Sequence, residues 1–202
     1  MSPKTYKPSQ QTKNNIIQKA IALFNEHGTA AVSLNSLAEA LGISTGNLQY
    51  HYRSKEEIIR AILEVMFKDW NTFYQEMDTK SFTMDTLRRI LRINFDLVWK
   101  YRFFYRELNA LLRNDERLAK RYAAIQEGRL AEQEMLTKQM ATSRGRSISG
   151  RELSNMVLVG WVLSNSWLSY VESTGRPVDE TAMEDAVEIL VQFYKPYVEK
   201  IT

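Results

Sequence analysis

Apolar residues recur at intervals of three and four along nearly the whole chain, which is the period of a helix face. Alternating β-branched runs bounded by turns, the mark of strands, are missing. The first periodic stretch runs roughly from Gln11 to His27, with Ile16, Ala20, Leu23 and Phe24 on one face, and Gly28 stops it. Three segments follow, each opened by a serine. Ser33 caps a short helix carrying Leu34, Leu37, Ala38 and Leu41, and Val32 before the cap staples onto Leu37. Gly42 makes the turn. Ser44 caps the next helix, with Ile43 set against Leu48, and Ser54 opens the third, where Glu57 completes a capping box. That third helix is predicted to reach about Met77 and carries Ile58, Ile62, Val65, Met66, Trp70, Phe73 and Tyr74. Thr83 repeats the cap signal, with Phe82 against Leu87, and starts a helix to about Lys100. An aromatic-rich helix (Arg102 to Arg113), a polar-faced one (Asp115 to Ala141), a loop (Thr142 to Gly150) and two more helices (Arg151 to Ser173, Asp179 to Lys200) complete the pattern. The chain reads as all-α, with about nine helices.

Composition narrows the chemistry. Apolar residues make up 44% of the 202 positions, enough for a sizeable core, and charged residues at 25% are ordinary. There is no cysteine, so disulfides and thiolate nucleophiles are excluded, and a zinc site is left only two histidines and carboxylates. This fits a reducing cytoplasm. The first thirteen residues hold no apolar run and are not expected to be a secretory signal. The longest plain apolar stretch, Met156 to Leu163, is interrupted by Gly160 and falls far short of the ~18 residues of a membrane span. A Gly-rich phosphate loop, a serine-centred elbow and clustered histidines are all missing, so neither an enzyme nor a cofactor or metal is expected. Net charge is +3, but residues 1–55 carry six basic against two acidic side chains while residues 61–202 sum to zero. A basic front suits contact with a polyanion.

The stretch Ser33 to Tyr52, SLNSLAEALGISTGNLQYHY, is a short helix, a glycine turn and a second short helix. Leu34, Leu37, Ala38, Leu41, Ile43 and Leu48 are spaced to share a small core. Polar or aromatic side chains remain on the second helix: Thr45, Asn47, Gln49, Tyr50 and His51. A helix fits the major groove, where Gln and Asn contact adenine and Thr and Tyr reach thymine methyls or phosphates. Gly46 allows close backbone approach, and Lys55 opens the next helix, a position that favours phosphate. His51 has no carboxylate or second histidine at short spacing on its face, which leaves a phosphate contact or packing. His27 stands at a helix C-terminus, where the dipole favours it.

The run LAEALGISTGNLQYHYRSKEEII resembles the signature of the tetracycline-repressor family. Leu37, Ala38, Gly42, Ile43, Ser44, Gly46, Leu48, His51, Tyr52, Ser54, Lys55 and Glu56 fall on its pattern, and the likeness covers roughly residues 10–60. It implies DNA contacts at Thr45, Gly46, Asn47, Gln49, Tyr50, His51 and Lys55, with Ser33 and Asn35 as further candidates. One departure is Gln49, where the family usually has a phosphate-holding tyrosine. The implied organisation is a helix-turn-helix DNA-binding domain over residues 1–54 and a helical effector-binding and dimerisation domain over residues 55–202.

The back of the chain is rich in aromatics at helical spacing. Trp70, Phe73, Tyr74, Phe95, Trp99, Phe103, Trp161 and Trp167, with Asn165, are the candidate pocket set, against the plain alternative of ordinary core. The last two helices each carry two apolar stripes, whereas a surface helix needs one. The second stripe calls for a second partner, and the resemblance implies a homodimer through a bundle of these helices. Met156, Gly160, Leu163, Trp167, Ala186, Ile189, Leu190 and Phe193 are the candidate interface. The function expected is a cytoplasmic, ligand-responsive repressor that binds double-stranded operator DNA as a dimer and is released by a small, largely apolar effector. The rival is a helical small-molecule-binding protein or enzyme without specific DNA recognition; a constitutive repressor with a filled core is a third reading.

Overall fold

The computed structural model describes residues 10–76, 83–142, 145 and 147–198, the side chains of residues 73–76 excepted. Among the described residues every regular element is an α-helix: α1 (Gln10–Ala31), α2 (Leu34–Leu41), α3 (Thr45–His51), α4 (Lys55–Glu76), α5 (Met84–Lys100), α6 (Arg102–Asn114), α7 (Glu116–Thr142), α8 (Gly150–Ser173) and α9 (Glu180–Val198).

The starts and stops are local chemistry. Regular α1 geometry breaks at Gly28, whose φ of 77° and ψ of 160° suit glycine alone. Ser33 Oγ accepts the Ser36 amide, and Ser36 Oγ accepts the Ser33 amide, a closed box of two serines at the start of α2. Gly42 ends α2 in the left-handed region, its N–H on the carbonyls of Ala38 and Glu39. Ser44 caps α3 through the Asn47 amide, and Thr83 caps α5 through Thr86. The box expected at α4 is offset. Ser54 Oγ accepts the Glu57 amide, but the Glu57 carboxylate accepts the amide of Arg53, one residue earlier than the motif requires. Asp115, Ser149 and Asp179 cap α7, α8 and α9. The Phe82 staple and the predicted ends at Met77 and Lys200 lie outside the described residues.

The chain divides into two compact units between Lys68 and Asp69, inside α4. In the first, Ile16, Ala20 and Phe24 of α1, Leu37 and Ala38 of α2, Leu48 of α3, and Ile58 and Ile62 of α4 are all buried. Each fully buried aliphatic of this kind contributes roughly 1.5–3 kcal/mol. In the second, α5 lies along α9, α7 on α8, and α6 on both α7 and α8. Phe95, Met156, Trp167, Val171, Ala186 and Leu190 fill its core. Arg92–Glu184 at 2.6 Å and Arg88–Glu188 lace α5 to α9, and Arg106–Glu172 at 2.6 Å laces α6 to α8. Asp69 takes two donors, Tyr101 Oη at 2.7 Å and Lys100 Nζ at 2.6 Å. No helix among the described residues is long and apolar enough to cross a membrane.

Candidate nucleic-acid interface and effector domain

Buried Leu48 and His51 fix α3 on the first unit, and much of the rest of the helix faces outward. Leu48 is wholly buried, while Gly46, Asn47, Gln49 and Tyr50 are exposed, Tyr50 by 55%. A Cβ added to Gly46 meets nothing within 4 Å, so no neighbour within the fold demands a glycine there. Glycine in a helix interior costs roughly 0.5–1 kcal/mol relative to alanine, and that cost has no internal compensation. Ser33 and Asn35 are exposed at the start of α2. Half-buried Thr45 donates its hydroxyl proton to Asn35 Oδ1 at 3.1 Å, joining the first turns of α2 and α3.

Two of the predicted contacts are placed differently from the rest. His51 is 8% exposed, and both ring nitrogens are buried with no hydrogen-bond partner. Its ring meets Tyr50 edge to face, with centroids 5.6 Å apart, which is packing rather than a phosphate contact. Lys55 is half-buried, and its ammonium donates to the carbonyls of Thr29 and Val32. It therefore pins the start of α4 to the segment after Gly28 instead of standing out from the surface. Ser33 uses its hydroxyl inside the α2 cap, both accepting the Ser36 amide and lying 3.2 Å from Ser36 Oγ.

In the second unit, several of the predicted pocket aromatics are packed among the helices. Phe95, Phe103 and Trp167 are buried, and the Trp167 indole donates to the Ala182 carbonyl at 2.7 Å. Trp70 lies under the guanidinium of buried Arg129, 4.0 Å from its ring centre, and Trp99 under Arg102 at 4.5 Å. Asn165 accepts from Tyr122 Oη at 3.3 Å and donates to the Trp161 carbonyl at 2.9 Å. Burial pushes the Tyr122 phenol well above its usual range. The side chains of Phe73 and Tyr74 lie outside those described. One cavity, about 90 Å³, sits among α5, α7, α8 and α9, lined by Leu91, Asn94, Thr137, Gly160, Leu190 and Tyr194 among others. Asn94 Nδ2 donates to Ser164 Oγ at 3.1 Å on its wall, and no charged side chain lines it. The polar Asn94 on the buried side of α5 and the small pair Gly160 and Ser164 one turn apart were its only sequence signal.

The predicted interface residues also divide. Met156, Trp167, Ala186 and Leu190 are buried within the protomer, and Gly160 lies against the Tyr194 hydroxyl. Leu163 and Phe193 are half-buried, and Ile189 is exposed. An open apolar face is formed by Leu158, Val159, Val162 and Tyr170 of α8 with the predicted Ile189 of α9, each 42–55% exposed. They line one continuous groove with Leu163 and Trp167, edged by Arg176, Asp185 and Glu188.

Comparison with known proteins agrees with this geometry. Residues 16–62 match the sequence profile described as bacterial regulatory proteins of the tetR family. Residues 66–201 match the profile of the same group's C-terminal domain, described as bacterial transcriptional repressor. The chain is 26% identical over 100 residues to the transcriptional repressor KstR2 of Mycolicibacterium smegmatis, covering 48% of each chain. It is 31% identical over 99 residues to IcaR, the negative transcriptional regulator of the icaADBC biofilm operon in Staphylococcus epidermidis, covering 48% of this chain and 54% of that one. The match thus spans about half the length of these relatives. Among solved structures, a TetR-family transcriptional regulator from Marinobacter aquaeolei superposes with a TM-score of 0.83 at 26% identity, over 93% of this chain and 91% of that one.

Proposed function

The chain belongs to the tetR family of bacterial regulatory proteins, and from that premise we propose that it is a cytoplasmic repressor, binding a palindromic operator as a homodimer and released by a small uncharged effector. The observation that carries the DNA half is the outer face of α3. Asn47, Gln49 and Tyr50 project from a helix held by buried Leu48, beside a Gly46 that nothing inside the protein requires. Such a helix suits the major groove, where Asn and Gln make bidentate contacts to adenine.

The open face of α8 and α9 supports the dimer. Contiguous apolar patches are rare on monomers, and the occupant that fits a face of two helices is the same face of a second copy. A two-fold pair then presents two α3 helices about 34–36 Å apart, one DNA turn. The uncharged cavity supports the effector class, because an unpaired charge is costly to bury and none of the lining side chains carries a countercharge. Gly160 and Ser164 of α8 and Leu190 and Tyr194 of α9 line it, so an occupant bears on the two helices that carry the open face. An effector shifts DNA affinity only by its differential affinity for two states, and ~1–3 kcal/mol of coupling already gives roughly 5–150-fold.

The test is selection from a pool of randomised duplex DNA, with a Gln49→Ala, Tyr50→Ala double variant alongside. Enrichment of a palindrome that the variant loses is the expected result. Salt-sensitive binding with no enriched sequence would remove operator recognition from the reading.

A further inference from the structure

We propose that the effector enters the cavity among α5, α7, α8 and α9 with a small hydroxyl-bearing aliphatic group, whose hydroxyl is held by Asn94 and Ser164. This rests on the reading of that cavity as the effector site. Asn94 of α5 and Ser164 of α8 are 70 residues apart in sequence and meet on the cavity wall, where Asn94 Nδ2 donates to Ser164 Oγ at 3.1 Å. Among the described residues, neither side chain makes another hydrogen bond. That one bond uses part of what they hold. An asparagine amide has two N–H donors and a carbonyl with two lone pairs, and a serine hydroxyl has one proton and two lone pairs. The second amide N–H, the Asn94 carbonyl, the Ser164 proton and a serine lone pair remain. With the amide turned over, Asn94 Oδ1 accepts the serine proton instead, and both N–H donors and further lone pairs remain. In either orientation the pair offers an occupant at least one donor and one acceptor.

A hydroxyl answers both senses with a single atom. A ketone, ether or ester oxygen only accepts, and a hydrocarbon does neither, so each leaves a polar group of the wall out of water and unpaired, which is the costly outcome of burial. A carboxylate or an ammonium meets no countercharge, since no charged side chain lines the cavity. The rest of the group is set by the rest of the wall. Leu87, Leu91, Met140 and Leu190 are buried and apolar there, so what is attached to the hydroxyl is hydrocarbon. Room sets its size. A cavity of ~150 Å³ takes benzene, and in proportion the 90 Å³ here takes roughly four non-hydrogen atoms. A primary amide also donates and accepts, but three of those four atoms are then polar and the aliphatic wall is left without a partner.

The test uses the full chain and three probes of one shape and size: 2-propanol, acetone and acetate. Each is titrated separately and followed by nuclear magnetic resonance at the backbone amide of Gly160, which lines the cavity. 2-Propanol is expected to shift that signal saturably and to bind about tenfold more tightly than acetone, the value of one hydrogen bond gained. Acetate should leave the signal unmoved. Asn94→Leu keeps the volume and removes both amide functions, and should bring 2-propanol to within about twofold of acetone. Ser164→Ala removes one partner only and should narrow the preference part of the way. Melting temperatures of both variants establish that the fold is intact, and the smaller Ser164→Ala change carries the test if Asn94→Leu does not fold.

Three results overturn the assignment while leaving the cavity as a ligand site: acetone binding as tightly as 2-propanol, a saturable shift by acetate, or a preference for 2-propanol that persists undiminished in both variants. If none of the three probes moves the Gly160 signal, the effector reading of the cavity fails and the hydroxyl assignment fails with it. None of these measurements involves DNA, so they stand whatever duplex selection shows about the operator.

Discussion

Alanine at position 160 would place a methyl group where a tyrosine hydroxyl now lies. A Cβ built on Gly160 comes within 2.4 Å of Tyr194 Oη and 3.5 Å of Tyr194 Cζ. That hydroxyl is engaged, donating to the Met156 carbonyl at 3.0 Å in a buried position. The methyl rides on the α8 backbone and has nowhere to go, so the hydroxyl must leave and its bond breaks. A buried hydroxyl left without a partner costs roughly 1–3 kcal/mol, while alanine in a helix interior returns roughly 1 kcal/mol of propensity. The net expectation for Gly160→Ala is a loss of about 1 kcal/mol. In a Tyr194→Phe background the offending atom is gone, and the ring carbon at 3.5 Å is at an ordinary contact distance. There the same substitution should gain about 1 kcal/mol. The sign inverts, and the coupling between the two sites is about 2 kcal/mol. Urea unfolding of the four proteins, followed by circular dichroism at one matched concentration, measures it, because the stability of an oligomer depends on concentration. A Gly160→Ala change that is stabilising in both backgrounds, or equally destabilising in both, refutes the reasoning.

Other substitutions test other parts of the molecule. Gly46→Ala should raise the melting temperature, since its methyl meets nothing and the helix gains roughly 0.5–1 kcal/mol, yet lower operator affinity by obstructing the close approach of DNA; a variant that melts higher and binds normally denies Gly46 that role. Val162→Asp puts a charge on the open α8 face, where the native side chain is 52% exposed; sedimentation velocity should show a folded monomer, and an unchanged dimer would place the interface elsewhere. Tyr101 is fully buried, and burial first, then its bond to the Asp69 carboxylate, pushes its phenol far above the usual value. A raised folded-state value stabilises below the unfolded phenol pKa of about 10 and is lost as pH rises beyond it. Alkaline titration should therefore show part of the tyrosinate absorbance appearing together with loss of helix, and Tyr101→Phe should remove that part; a Tyr101 that ionises freely before unfolding contradicts its burial.

The caps, the periods and the turn at Gly42 were legible because they are made by residues next to each other in the chain. Ser33, Ser44 and Thr83 bond amides three residues away, and Gly42 needs only its own φ of 67°. The family pattern was legible for the same reason: Leu37, Gly42, Ser44, Leu48 and Lys55 lie within one short stretch with fixed spacing. Its limits appear within the same stretch. Spacing puts His51 on the reading helix and Lys55 just after it, but the neighbours of α3 and α4 turn the imidazole inward and draw the ammonium onto the Thr29 and Val32 carbonyls.

Two apolar stripes on α8 were visible in the sequence, since a helix that is apolar nearly all round must meet two partners. Which stripe met which partner was not. Met156 and Trp167 pack inside the protomer while Leu158 and Val162 remain outside, and no property of a leucine or a methionine marks the difference. The Trp167 indole on the Ala182 carbonyl and the Tyr194 hydroxyl over Gly160 decide it, contacts between α8 and α9 that exist only once the hairpin has closed. The cavity follows the same rule. Its walls are mainly aliphatic, with Asn94, Thr137 and Tyr194 among them, side chains that the helical period does not separate from core, and Phe95 and Phe103 are buried. Local sequence determined which helices form, where they stop and what chemistry α3 carries. The tertiary structure alone decided which faces are buried, because burial is a relation between elements distant in the chain, and the helical period reports only that a face exists.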